Sequence, residues 1–268
     1  MSRVLSAFRK PHARPSRRFR RGVYLVPGLF TVANMFCGWA SIVYAMRGEY
    51  EIAGPLIGFA MVLDMLDGRI ARMAGATSEF GEQFDSLADV ISFGVAPATL
   101  VFAWGMAPLG RLGWAAAFLY VTATALRLAR FNIQGKSGDK RYFVGLPSPP
   151  AAGVLAATVF AYPAGLTGVQ ESLLTLPVVL VPAALMVSRI RFRNIKTVIP
   201  EGRRSSLSLL VIAAVIAAIA VHPQGVLFAM AYLYLASGLV GLVLSRFKHH
   251  HVPSAPATEP VEDKRSAG

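Results

Sequence analysis

Four aspartates, at 64, 67, 85 and 89, stand in the stretch DMLDGRIARMAGATSEFGEQFDSLAD, between apolar GPLIGFAMVL and apolar VISFGVAPATLVFAWGMA. A carboxylate at the edge of lipid-soluble sequence costs several kcal/mol unless something compensates it, so it marks a functional site by default. Asp64, Asp67, Gly68, Ala71 and Arg72 follow the spacing i, i+3, i+4, i+7, i+8, which is one stripe of a helix. Gly68 and Ala71 leave room on that stripe for something to lie against the backbone. Gly81, Asp85 and Asp89 repeat the pattern at i, i+4, i+8 on a second helix. The polar linker MAGATSEFGE lets the two helices turn back on each other. Four carboxylates and one arginine then point into shared space.

Carboxylates this close repel unless cations sit among them. An all-oxygen donor set with no His or Cys selects hard divalent ions, Mg²⁺, Mn²⁺ or Ca²⁺. Four aspartates can share two such ions at the short separation used for displacement at phosphorus. Arg72 adds a fork for a phosphate. Metal, phosphate and a spare carboxylate base together describe a phosphoryl-transfer site. Two other readings stay open at this level. The acids could pair structurally with Arg69 and Arg72, or they could form the ion path of a cation transporter. Four regularly spaced acids with only two local cations argue against the first, and the second does not explain Gly68, Ala71 and Arg72 on the same stripe.

The elements that must hold these residues are membrane helices. The chain has 268 residues, of which 54% are hydrophobic and 15% charged, with a mean hydropathy of +0.52. Several apolar runs approach the roughly 20 residues that cross a bilayer core as a helix. The fold class is an all-α polytopic membrane bundle. About eight spans (six to eight) are expected, at 29–46, 51–73, 84–106, 110–131, 149–164, 172–188, 206–221 and 225–245. With eight spans, 25 of the 27 Lys and Arg fall on one face and only Arg47 and Arg111 on the other. The positive-inside rule then puts both termini and the aspartate stretch on the cytoplasmic side.

Residues 1–22 form a basic cytoplasmic arm, 23–246 the membrane domain, and 247–268 a polar tail whose composition predicts disorder. The net charge of +13 could suggest nucleic acid, but eight Lys and Arg lie in the arm immediately before the first span. That placement suits an anionic lipid surface, and no nucleic-acid partner is expected. Cys37 is the only cysteine and reads as a small hydrophobe.

The spacing Asp67-Gly68, two residues, Ala71-Arg72, eight residues, Gly81, three, Asp85, three, Asp89 resembles the signature of the CDP-alcohol phosphatidyltransferases. Asp64 extends the match. The resemblance implies that Asp64, Asp67, Asp85 and Asp89 hold Mg²⁺ or Mn²⁺, in two sites, and that Asp89 is the catalytic base. It also implies a CDP-diacylglycerol donor lying along Gly68, Ala71, Arg72, Ser78 and Gly81. Members usually carry Asn where this chain has Gly28, which leaves Thr31 and Asn34 as the polar groups of the first span toward the nucleotide. Within the family, LFTVANMFCGWASI, FDSLADVISFGVAPA, ALRLARFNI and FVGLPSPPAAG imply L-serine as the acceptor. Glycerol 3-phosphate and inositol phosphate are the alternatives that charge alone leaves open. Serine brings a carboxylate and an ammonium, and Arg127, Arg130 and Asn132 at the inner end of the fourth span are the candidates to receive them. The resemblance further implies a homodimer in the cytoplasmic (inner) membrane, with its active site facing the cytoplasm.

Overall fold

A computed structural model of the chain describes residues 17–74, 78–134, 142–188, 191–193 and 206–248. Arm residues 1–16 and tail residues 249–268 lie outside the described residues, as do Lys136, Lys140, Arg141, Arg189, Lys196, Arg203 and Arg204 of the basic connections.

Each apolar run predicted to span is helical. Helix α1 is Arg17–Met46, α2 is Tyr50–Ala74 and α3 is Glu79–Leu109. Helix α4 is Arg111–Gln134 and α5 is Ser148–Ala161. Helix α6 is Val169–Val187, interrupted by a turn at Leu174, and α7 and α8 are Ser206–Val221 and Pro223–Lys248. Four of the described helices, α1 (from Gly28), α3, α4 and α6, combine the length and apolarity needed to cross a membrane. The chain is a multi-pass membrane protein by this measure. Helix α2 is not among the four because Glu51, Asp64, Asp67, Arg69 and Arg72 all lie within it.

Two local features depart from the sequence expectation. Helix α1 starts at Arg17, well before the predicted span, because a helix that leaves the bilayer has no reason to end at the interface. The chain is also not wholly helical. Strands β1 (Tyr142–Val144) and β2 (Arg191–Arg193) pair antiparallel, with Phe143 opposite Phe192. This ribbon joins the α4–α5 connection to the α6–α7 connection, two segments that the charge count put on one face.

The core is built on small residues, which let helices approach closely where no hydrophobic driving force separates protein from lipid. Helix α5 is the centre of it. At 14 residues it is about 21 Å long, short of the roughly 30 Å hydrocarbon thickness. Its Ala151, Ala152, Val154, Leu155 and Val159 are buried, with α2, α6 and α8 packed around it. A helix enclosed on its sides has no lipid to match in length.

Helix α3 carries the second half of the aspartate stretch and is not a plain α-helix. It widens to π geometry at Val90–Val95, directly after Asp89, and again at Phe102–Met106. Pro97 explains the first widening. It has no N–H for the Phe93 carbonyl four residues before it, and such a gap in the ladder invites a π turn. The buried Tyr120 hydroxyl of α4 donates to that carbonyl at 3.2 Å. Helix α1 presses on the same turn. Ser92 Oγ donates to the Asn34 carbonyl at 3.0 Å, and a Cβ added at Gly38 would stand 2.7 Å from Ser92 Cα. Only glycine permits that approach.

Candidate active site

The two predicted stripes face each other. Ligand oxygens of Asp64 and Asp67 on α2 and of Asp85 on α3 lie within 4.8 Å of one another. Asp89 stands beside this group, its carboxyl close enough to those of Asp64 and Asp85 for their charges to act on one another. Asp67 is 4% exposed and Asp89 9%, so both charges are removed from water. Thr31 Oγ1 of α1 donates to Asp67 Oδ2 at 3.2 Å and fixes that carboxylate from the third side. The buried oxygens Asp85 Oδ1 and Asp89 Oδ1 accept no hydrogen bond from the protein.

A buried acceptor without a donor costs about 1–3 kcal/mol, and more when charged. Helices do not hold carboxylates in that condition without a counter-charge. The donor set is all oxygen, the atoms converge from two helices, and two buried carboxylate oxygens lack a donor. These residues fit a hard divalent cation. Ion number and identity are not set by this geometry.

Next to the carboxylates, the α2 stripe is open. A Cβ at Gly68 would meet only Arg72 Nη2, at 3.9 Å. Arg72 Nε donates to the Gly68 carbonyl at 2.7 Å, which anchors the exposed side chain along the stripe and leaves its terminal nitrogens available. At the start of α3, Ser78 is the N-cap and its Oγ accepts from Gly81 N–H at 3.0 Å. Ser78 and Gly81 therefore fix the start of α3. The Asn34 side chain is completely buried one turn below Thr31, and neither its Oδ1 nor its Nδ2 has a protein partner.

The three residues expected to receive an acceptor go to different places. Arg127 is half-buried and its charge acts on Asp89 and Asp64, while its Nη1 donates to Ser148 Oγ at the start of α5. Arg130 Nη1 donates to the Val187 carbonyl at 3.2 Å, at the C-terminal end of α6. Asn132 Nδ2 donates to Ser86 Oγ at 3.0 Å, between Asp85 and Asp89 in sequence. Of the three, Arg127 alone stands with the carboxylates. Arg130 and Asn132 are engaged in holding helices together.

Sequence reasoning missed two participants. Ser148 lies in a stretch quoted for its family likeness, without a role. Ser86 is a serine between two aspartates, and only the fold reveals its partner. The π turn after Asp89 had one signal in the sequence, Pro97.

Residues 24–189 match the model of the family described as CDP-alcohol phosphatidyltransferase. A CDP-diacylglycerol–serine O-phosphatidyltransferase of Helicobacter pylori is 38% identical over 221 residues, covering 81% of this chain and 91% of its own length. One of Mycobacterium leprae is 32% identical over 229 residues, covering 83% and 76%. An archaetidylserine synthase of Methanothermobacter thermautotrophicus is 33% identical over 172 residues, covering 63% and 70%.

Proposed function

The chain belongs to the CDP-alcohol phosphatidyltransferase family, and from that premise we propose that it transfers the phosphatidyl group of CDP-diacylglycerol to the hydroxyl of L-serine. The products are phosphatidylserine and CMP. The observation that carries the reading is the convergence of Asp64, Asp67 and Asp85, with Asp89 buried beside them, at the head of an open glycine stripe. Serine as acceptor follows the relatives named as serine transferases over most of the chain.

Asp64, Asp67 and Asp85, with Asp89, would hold Mg²⁺ or Mn²⁺, in one or two sites. Divalent ions there supply Lewis-acid neutralisation of the donor's diphosphate. The protein's own groups do the rest. The diphosphate lies along Gly68 and Ala71, where backbone approach is unobstructed, and the free nitrogens of Arg72 bind its oxygens. Asn34 and Thr31 line the first helix toward the nucleotide. Asp89 accepts the proton of the serine hydroxyl as that oxygen forms a bond to the β-phosphorus, the one bearing diacylglycerol. The bond from this phosphorus to the bridging oxygen breaks, and its electron pair leaves on CMP. Burial of Asp89 away from bulk water favours serine over water as the species it deprotonates.

Orientation, span number and assembly belong to the same proposal. Eight spans with both termini in the cytoplasm put the carboxylates at the cytoplasmic ends of α2 and α3. A lipid donor with a cytosolic headgroup and a soluble amino acid meet there, in the inner membrane, in each subunit of a homodimer.

The test is an acceptor panel. Purified protein in lipid, given CDP-diacylglycerol with serine, glycerol 3-phosphate or inositol phosphate, releases CMP with serine, stops on chelation and resumes with Mg²⁺ or Mn²⁺. CMP release with another acceptor and not serine would overturn the acceptor. Release with none would return the site to the ion-path reading.

A further inference from the structure

The carboxylates of α3 stand on a helix that changes its pitch directly behind them. Beyond Asp89 the chain runs in π geometry over Val90–Val95, with the Ala96 N–H reaching back to the Ile91 carbonyl. A π turn holds one residue more than an α turn, and one residue is about 100° of helix rotation. The remainder of α3 is anchored by the fully buried Phe93, Ala96, Leu100 and Val101. The turn at Val90–Val95 therefore sets the direction in which Asp85 and Asp89 face relative to that buried anchor. If it relaxed to α geometry, both carboxylates would swing away from Asp64 and Asp67.

Two neighbouring helices grip this turn. From α4, the fully buried Tyr120 hydroxyl donates to the Phe93 carbonyl at 3.2 Å. The same peptide unit carries the Gly94 N–H, which is the donor for the Asp89 carbonyl in an i to i+5 ladder that starts at Asp89. Through one peptide plane, Tyr120 holds the backbone of Asp89 itself. Thr124, one turn further along α4, closes on the same unit, since a Cβ added at Gly94 would stand 3.3 Å from its Cγ2. From α1, Ser92 Oγ donates to the Asn34 carbonyl at 3.0 Å, an approach that Gly38 permits. Ser92 and Tyr120 are both completely buried, so neither bond competes with water.

We infer that Tyr120 is a positioning residue for the carboxylate cluster: through the Phe93–Gly94 peptide it keeps the π turn that aims Asp85 and Asp89, with Ser92 as the second clamp on that turn. The inference rests on the proposed metal-dependent transfer. It places control of the site in α4, on a hydroxyl that bonds backbone and not a carboxylate.

The second π turn of α3 supplies a matched control. At Phe102–Met106 the Tyr50 hydroxyl donates to the Ala103 carbonyl at 2.7 Å. The chemistry is the same, a phenol on a carbonyl of a π turn. The position is not, because Tyr50 begins α2 and Asp64 follows about 21 Å further along that helix.

The experiment is a Mn²⁺ titration of substrate-free, full-length protein in lipid, read by the electron paramagnetic resonance of free Mn²⁺, together with steady-state kinetics. Tyr120→Phe keeps the ring and removes the hydroxyl. It should weaken Mn²⁺ binding and lower kcat by roughly five- to ten-fold each, the worth of one buried hydrogen bond, while the serine KM stays within about two-fold. Tyr50→Phe should leave Mn²⁺ affinity and kcat within about two-fold. Unchanged Mn²⁺ affinity in Tyr120→Phe overturns the inference. So does an equal loss in Tyr50→Phe, which would mark a general loosening of α3. Ser92→Ala carries the same test on a smaller side chain if Tyr120→Phe does not fold. It should weaken Mn²⁺ binding about three-fold, and unchanged affinity there overturns the inference. Wild-type protein that binds no Mn²⁺ would overturn the proposed metal site instead, so the two failures are separate.

Discussion

The carboxylate cluster has two sides, and they are built by opposite means. On the α2–α3 side, all four carboxylates come from one stretch of 26 residues, Asp64 to Asp89, folded back on itself at a short linker. On the α4–α5 side, Arg127 and the Ser148 that accepts its hydrogen bond come from separate helices, 21 residues apart in sequence. The first side is a local motif: helical period alone aligns its members. The second is a tertiary site, which exists only when α4 and the start of α5 are brought together by the packing of α5 against α2, α6 and α8. Binding of metal and diphosphate can be carried by a transferable motif because its ligands are the same in every reaction of this kind. Recognition of the acceptor has to differ between reactions, and in the proposed reading it falls to side chains that only the tertiary fold brings together.

The comparison breaks most sharply at Asp89, which belongs to the local motif but faces Arg127 of the other side. Asp89→Asn keeps the size of the side chain and removes the proposed base. Turnover should fall by roughly 10²–10⁴, the usual worth of general-base catalysis. CDP-diacylglycerol binding should survive, as read by isotope-labelled donor retained on the purified variant. Residual CMP release near the wild-type rate would remove Asp89 from the role of base and make the two sides equal contributors.

A substitution confined to the motif side should disturb the donor and spare the acceptor. Gly68→Leu places a side chain on the open stripe, where its Cβ meets only the mobile end of Arg72 at 3.9 Å. The fold tolerates it, but the diphosphate loses its seat. The KM for CDP-diacylglycerol should rise on the order of ten- to a hundred-fold, with serine KM nearly constant. Equal changes in both would mean that donor and acceptor do not occupy separate sides.

Legibility in the sequence follows the same division. Period-3.6 spacing exposed the two stripes, and apolar length with charge asymmetry located the helices, because both signals are local. Asp64, Asp67 and Asp85 meet as their spacing requires. Arg127, Arg130 and Asn132 were equivalent in sequence, three polar residues at the end of one span. Helical rotation separates them: Arg127 turns to the carboxylates, Arg130 to the end of α6 and Asn132 to Ser86. Tyr120 had no local signal at all, since a tyrosine in an apolar run is ordinary for a membrane helix. The ribbon of β1 and β2 was equally invisible, because three-residue strands are defined by pairing and not by pattern.

Asn132 offers the finest test, because it is an α4 residue that serves the motif side. Its Nδ2 donates to Ser86 Oγ at 3.0 Å, and Ser86 Oγ also lies 2.9 Å from the Glu82 carbonyl to which it donates. The pair clamps α3 to α4 one residue after Asp85 and three before Asp89, just ahead of the π turn at Val90–Val95. A π turn is a locally weaker ladder, so the direction in which Asp85 and Asp89 point depends on what holds the helix on either side of it. Tyr120 secures the far side through the Phe93 carbonyl, and Asn132 the near side. Asn132→Ala removes a hydrogen bond worth about 1 kcal/mol, enough for a loss of roughly five-fold. If Asn132 positions the carboxylates, that loss appears in kcat and in the apparent affinity for Mg²⁺ while the serine KM holds. If it instead binds the acceptor, the loss appears in the serine KM with metal affinity untouched. The two outcomes assign this residue to one side of the cluster or the other.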